Sequence, residues 1–271
     1  MRGLLAYVLL ICAALPMSAG TKLEVMDTRG DMLGWEAVGR IDLAGKGFCT
    51  GVLIAPDQVL TAAHCLFDSQ TGQPLRAEKI VFRSGYLKGD ALSERRASKY
   101  VVADGYIPGG NRTDIDNVTR DVAILRLEHP IYSSEADPFR IAETGGTGVV
   151  QVMSYGRGRA EAMSWQRRCD LTHEGRDLKF FDCDITFGSS GAPVFVKTGT
   201  RVRIFSLVSG SARMNDGSSM GVGMALPEVV TSLRAKLRNG DAPTAKVSGG
   251  ARRIKIGGGK SGSGAKFIRA D

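Results

Sequence analysis

The sequence is poor in the residues that build metal centres and membrane spans. Histidine occurs three times and cysteine five times in 271 residues. No cysteine pair has C-x-x-C spacing and no histidine stands at finger-like spacing, which argues against a zinc site. A phosphate loop is missing as well: GGGKSGS at 257–263 lacks the first glycine of that motif, its place being taken by Ile254. Apolar runs long enough to cross a bilayer repeatedly are absent, so a multi-span membrane protein is excluded. With 43% hydrophobic and 24% charged residues, wholesale disorder is excluded too.

The body also lacks an excess of positive charge. Of the formal +8, residues 239–271 hold Lys246, Arg252, Arg253, Lys255, Lys260, Lys266 and Arg269 against Asp241 and Asp271, a net of +5. Arg2 adds +1 within residues 1–19, so residues 20–238 retain about +2. No nucleic-acid surface is expected on the folded body. What the chain does have is glycine, 35 copies with 9 Pro and 10 Phe, a composition that leans towards a turn-rich β protein.

The two ends read as something other than fold. Residues 1–19, with Arg2, an apolar run from Leu4 to Leu15 and small residues at Ser18 and Ala19, have the pattern of a secretory signal peptide. Cys12 does not suggest a lipid anchor, because Ile11 precedes it where a small residue is expected. Residues 20–34 form an N-terminal segment, a candidate short propeptide. Residues 239–271, with eight glycines among Ser, Lys and Arg, read as a flexible basic tail. Without the leader four cysteines remain, Cys49, Cys65, Cys169 and Cys183, an even number that reads as two disulfides with three connectivities open.

Between the ends run short apolar or alternating stretches divided by turn residues: Thr50–Ile54, Gln58–Ala62, Lys79–Arg83, Lys99–Ala103, Val122–Leu127, Val149–Tyr155, Phe180–Cys183, Val194–Lys197, Val202–Val208 and Gly221–Leu226. Strands of this number and spacing predict an all-β sandwich or barrels. One helix is expected, opened by Pro227, carrying Val229, Val230, Leu233 and Leu237 on one face and stopped at Asn239-Gly240.

Three segments carry chemistry. His64 stands in Thr61-Ala62-Ala63-His64-Cys65, where small neighbours leave room for an imidazole. Asp121 opens the apolar run Val122–Leu125, where an unpaired carboxylate would be costly to bury. Ser190 lies in Gly188-Ser189-Ser190-Gly191-Ala192-Pro193, a turn able to aim consecutive N–H groups at one point. The order His, Asp, Ser differs from that of the α/β-hydrolases, and Ala192 breaks their G-x-S-x-G elbow. His129 and His173 sit in no such setting and read as structural or solvated.

These motifs (Cys49-Thr50-Gly51, LTAAHC ending at Cys65, DVAIL from Asp121 and GSSGAP from Gly188) resemble the trypsin-like, chymotrypsin-fold serine proteases, in particular their short bacterial secreted branch, from about Trp35 to Leu237. The resemblance implies two antiparallel six-stranded β-barrels, at 35–135 and 136–238, with a C-terminal helix. It implies His64 as general base, Asp121 as its orienting acid, Ser190 as nucleophile, and the N–H groups of Gly188 and Ser190 as the oxyanion hole. Ser209 matches the family position that hydrogen-bonds the acid, and the backbone from Ser209 through Gly210 to Ser211 would pair with a substrate strand. It implies Cys49–Cys65, which leaves Cys169–Cys183. Asp184 falls where trypsin has the acid of its specificity pocket, implying Lys or Arg before the scissile bond, with Gly210 and Gly223 leaving that pocket open.

The departures from the family are informative. Ser189 replaces the Asp that pairs with a liberated N-terminus in the pancreatic-type enzymes, and no Ile-Val-Gly-Gly-like activation sequence lies between Gly20 and Trp35. Both are features of the glutamyl-endopeptidase-like side of the superfamily, yet Leu207 and Val208 stand where those enzymes have a His, so Glu specificity is not expected. The expected function is a secreted or periplasmic serine endopeptidase, monomeric, without metal, cofactor or stable membrane anchor, acting on protein or peptide substrates. The alternative is a non-catalytic relative that binds a partner through the cleft and basic tail.

Overall fold

The computed structural model describes residues 21–240 except 112, 113, 144–147, 176, 215, 216 and 218. The leader expected at 1–19, and the tail expected at 239–271 beyond its first two residues, lie outside the described residues. A two-residue strand, β1 (Glu24–Val25), precedes two barrels. The first is built from β2 (Val38–Leu43), β3 (Phe48–Ala55), β4 (Gln58–Thr61), β5 (Ile80–Ser84), β6 (Ser93–Val102) and β7 (Ala123–Leu127), closed in the order β2-β3-β4-β7-β6-β5. The second uses β8 (Val149–Gly156), β9 (Arg159–Glu174), β10 (Leu178–Phe181), β11 (Pro193–Thr198), β12 (Arg201–Arg213) and β13 (Ser219–Met224), in the order β9-β10-β13-β12-β11-β8, with β8 pairing back to β9. All pairings between these strands are antiparallel. A short helix α1 (Ile115–Thr119) precedes β7, and α2 (Pro227–Asn239) ends the described chain. No described helix is long and apolar enough to cross a membrane.

Period-two alternation places each strand against two cores at once. Val59 of β4 and Ala123, Leu125 and Leu127 of β7 point into the first barrel with Ile41, Leu53 and Phe82. Their neighbours Leu60 and Ile124 face outward, into a cluster shared with Met153, Tyr155 and Phe195 of the second barrel. Both faces of these strands are therefore buried, which is why they read as continuous apolar runs. A third cluster, including Val150, Phe181, Val194 and Phe205, fills the second barrel.

The strands that sequence patterning did not anticipate are the charged ones. In β2, the half-buried Arg40 lies over the Phe48 and Tyr86 rings, 4.8 Å from each centroid, and pairs with Asp42 at 2.8 Å and Glu161 at 3.0 Å. Gly39 is there for close approach, since a Cβ would stand 2.4 Å from the Arg83 carbonyl oxygen. The longest strand, β9, carries Arg167, Arg168 and Glu174 on exposed positions and alternates too weakly to be seen. The expected stretch Lys99–Ala103 is the second half of β6; its first half, Ser93-Glu94-Arg95-Arg96, is polar.

Residues 21–34 are built into the fold. β1 pairs with Ser164 and Trp165 of β9, and the Met26 N–H donates to the Met163 carbonyl at 2.8 Å. Arg29 donates to the Gly85 and Asp90 carbonyls, and Lys88 donates to the Asp27 carbonyl at 3.2 Å, tying this strap to the first barrel. Met26 and Met32 are buried at 3% and 1% exposure, so this strap contributes side chains to the core. Met32→Ala is expected to lower unfolding stability by about 2–5 kcal/mol in denaturant titration; an unchanged midpoint would put the strap outside the cooperative unit.

The expected C-terminal helix is present with the expected ends. Pro227 opens it, Gly240 at φ 79° closes it, and Val230, Leu233 and Leu237 are buried. It lies on the first barrel: Lys99 donates to the Leu237 carbonyl at 3.1 Å, Lys236 pairs with Asp104, and Arg234 donates to the Ile54 carbonyl at 2.9 Å.

Candidate active site

The chain turns sharply where β4 ends, through a 3₁₀ turn at Ala63–Leu66. Ala62 and Ala63 are fully buried there, so no larger side chain fits beside His64. The disulfide Cys49–Cys65 ties this turn to β3, and Cys169–Cys183 joins β9 to the segment after β10. Because Cys49 and Cys65 are bonded to each other, the cluster Cys49, His64 and Cys65 offers no thiolate to a metal.

Asp121 reaches the imidazole from the start of β7. Asp114 caps α1 by accepting from the Asp116 N–H, and the Asp121 N–H donates to Val118 at the end of that helix. Asp121 is 4% exposed, a costly position for a carboxylate unless it is fully bonded. Three donors satisfy it: the His64 N–H at 2.8 Å to Oδ1, and to Oδ2 the His64 Nδ1 at 2.7 Å and the Ser209 hydroxyl at 2.6 Å. This fixes the imidazole tautomer with hydrogen on Nδ1 and leaves Nε2 as the acceptor.

The Ser190 turn is pressed against the first barrel. Gly188 and Gly191 have φ of 94° and 76°, and a Cβ on Gly191 would stand 2.2 Å from Thr61 Oγ1 and 2.8 Å from the Ala62 nitrogen. Glycine thus brings the turn onto the residues that precede His64. Thr50 completes the junction: its N–H donates to the Ser190 carbonyl at 2.9 Å, and its hydroxyl donates to the Gly188 carbonyl at 2.8 Å while accepting from the Tyr155 N–H at 3.0 Å. The Tyr155 hydroxyl donates to the Tyr86 carbonyl, and burial pushes its pKa well above the usual tyrosine range. The Phe187 carbonyl accepts from the Arg157 N–H at 2.7 Å, and the Ser189 carbonyl from the Ala192 N–H at 3.0 Å. In a trans peptide the N–H points opposite to the carbonyl, so the N–H groups of Gly188 and Ser190 are both turned the other way. Among the described hydrogen bonds neither donates to anything else.

A cavity of about 550 Å³ opens beside Ser190, lined by Ser209, Gly210, Ser211 and Ala212 on one side and by Ile185, Thr186 and Phe187 on another. Leu178, Phe180 and Val222 also line it. Ser209 lines a second, smaller space containing His64 and Asp121. β12 pairs with β11 as far as Leu207 and beyond that with β13, so the edge of Ser209–Ser211 away from β13 has no strand partner among the described residues. Asp184 is not brought to this cavity. It is exposed, its N–H donates to Gln166 Oε1 at 2.7 Å, and its charge acts on Arg159. Gly223 is absent from the lining too; a Cβ there would stand 2.2 Å from the Leu207 carbonyl oxygen, so glycine serves β12–β13 packing. His129 is exposed, and His173 sits edge-on to Phe180. Sequence reading placed Thr50 in a motif without giving it a role and passed over Arg157 and Arg159; the three act through a hydroxyl, a backbone N–H and a long side chain respectively.

Two closed six-stranded antiparallel barrels, with a serine turn and a histidine–carboxylate pair held where they meet, define a chymotrypsin-fold serine protease. The sequence profile of the trypsin-like peptidase domain matches residues 49–202, and the chain belongs to that family. Serine protease 23 of Bos taurus is 32% identical over 172 residues, covering 56% of this chain and 44% of the relative. Glutamyl endopeptidase of Bacillus licheniformis is 26% identical over 161 residues, 57% of this chain and 47% of that one. The chain thus spans about half the length of the curated relatives it matches. A solved structure of a Glu endopeptidase in complex with MPD superposes with a TM-score of 0.62 at 18% identity, over 76% of this chain and 91% of that one, a likeness of fold.

Proposed function

We propose that the protein is an exported serine endopeptidase, secreted or periplasmic, that cleaves peptide bonds through an acyl-enzyme. Ser190 attacks, His64 takes and returns its proton, Asp121 holds and stabilises the imidazolium, and the Gly188 and Ser190 N–H groups receive the oxyanion. The observation that carries this reading is the buried Asp121 carboxylate, bonded at 2.7 Å to His64 Nδ1 and at 2.6 Å to Ser209. Two disulfides support export. The test is a fluorophosphonate probe followed by peptide mapping. Label on Ser190 supports the reading, and folded protein without label favours the binding-protein alternative.

The Lys/Arg preference rests on Asp184, and the cavity gives it little support. No acidic residue is among its described lining, and Arg157, stacked 4.0 Å from the Phe187 ring centroid, adds positive charge at the rim. Leu178, Phe180, Ile185 and Val222 favour a large apolar side chain before the scissile bond. Burying one contributes about 1.5–3 kcal/mol, so peptide-library profiling is expected to show a ~10–100-fold preference for Leu, Met or Phe over Lys or Arg. Asp184→Ser should leave that profile unchanged. A basic preference that disappears in Asp184→Ser would restore the trypsin-like reading.

A further inference from the structure

A half-buried cation lies directly behind the nucleophile turn. Arg159, at the start of β9, folds its side chain under residues 186–190. Nη1 donates to the Ser154 carbonyl at 2.6 Å and lies 3.1 Å from the Ser154 hydroxyl, and Nη2 donates to Ser189 Oγ at 3.2 Å. Space for the guanidinium exists because residue 156 is glycine: a Cβ there would stand 2.8 Å from Arg159 Cζ and 2.7 Å from the Thr186 methyl. The Ser189 side chain is fully buried. Its oxygen accepts from the Thr186 N–H at 3.4 Å, while the Ser189 N–H donates back to the Thr186 carbonyl at 3.0 Å, closing the loop that leads into Ser190. The guanidinium thus reaches carbonyl and hydroxyl oxygens, and no carboxylate lies within ion-pair distance of it among the described residues. Burial pushes its pKa down to about 10, against the opposing charge of Asp184.

We propose that Arg159 is the positioning residue of the catalytic turn, holding Ser189 in the role that a liberated N-terminal ammonium fills in pancreatic-type relatives. The proposal rests on Ser190 being the nucleophile. Its physical basis is that Ser189, immediately before Ser190, is anchored at both its N–H and its hydroxyl, and that one of those anchors ends on a fixed charge. The turn is then set by the chain itself, with no cleavage needed to supply a cation. This also explains how a serine can occupy position 189: a hydroxyl accepts from the guanidinium, where an inserted ammonium would leave a buried charge unpaired.

Arg159→Met keeps the stem and removes the charge and its donors. Its kcat on a small peptide substrate is expected to fall ~10–100-fold with KM little changed, and the bonded amides of Ser189 and Gly191 should exchange hydrogen ~10-fold faster or more. Acetylating the N-terminus of the wild type should leave kcat intact. Wild-type kcat and exchange protection in Arg159→Met, or loss of activity on acetylation alone, would overturn the proposal. If Arg159→Met does not fold, Ser189→Ala carries the same expectation and the same contrary outcome, its methyl keeping the buried volume filled. Hydrogen exchange keeps the two readings apart. A wild type unlabelled at Ser190 by fluorophosphonate refutes the nucleophile, whereas unaltered exchange at Ser189 and Gly191 in Arg159→Met refutes Arg159.

Discussion

Ser190→Ala is expected to abolish peptide hydrolysis by about six orders of magnitude, roughly 8 kcal/mol of transition-state stabilisation, while the fold is kept. The fold should survive because the anchors of this turn are not the Ser190 hydroxyl. They are the carbonyls of Phe187, Gly188, Ser189 and Ser190, all bonded through the main chain or Thr50. Without the hydroxyl no acyl-enzyme can form, and the residual rate comes from substrate binding and the oxyanion donors alone. Rates of purified mutant and wild type on one peptide, with circular dichroism to check folding, decide the matter. More than a hundredth of the activity left in pure mutant would place the nucleophile elsewhere.

Asp121→Asn is expected to lower kcat by about four orders of magnitude, a size known from the serine-protease triad as a class. The geometry gives the reason. Oδ1 faces the His64 N–H and Oδ2 faces both His64 Nδ1 and the Ser209 hydroxyl, so an amide must present its NH₂ to a donor on either side. Turned towards Nδ1, it forces hydrogen onto Nε2, and the imidazole can no longer accept a proton from Ser190. Turned the other way, it breaks the main-chain bond that sets the His64 turn. Steady-state kinetics with fluorophosphonate labelling rates measure this, and Asp121→Asn with near wild-type kcat would show that another group orients His64.

The histidine, the acid and the serine were legible because each sits in a short local signature: small residues around His64, an acid at the head of an apolar strand, glycines around Ser190. The buried strands β4 and β7 were legible for the same reason, being apolar on both faces. What was not legible is long-range. Thr50 lies 138 positions from the Gly188 whose carbonyl it holds, and Arg159 lies 30 from Ser189. A threonine hydroxyl and an arginine on a charged strand carry no periodicity that marks them. Asp184 shows the converse: counting along the chain gave it a place in the pocket, while in the structure it is exposed and outside the residues that line the cavity.

The strap at residues 21–34 and the helix α2 together mean that the two ends of the folded body are exchanged. The first residues of the body join the second barrel through β1, and the last lie across β6 and β7 of the first. Each barrel closes on its own strands, but each is also packed by a segment from the far end of the body. Closing contacts so distant in sequence is slow, and the helix that seals the first barrel is synthesised last. The cleft itself needs residues from both barrels, His64 and Asp121 from the first and Ser209 from the second, so it forms only once the two have docked.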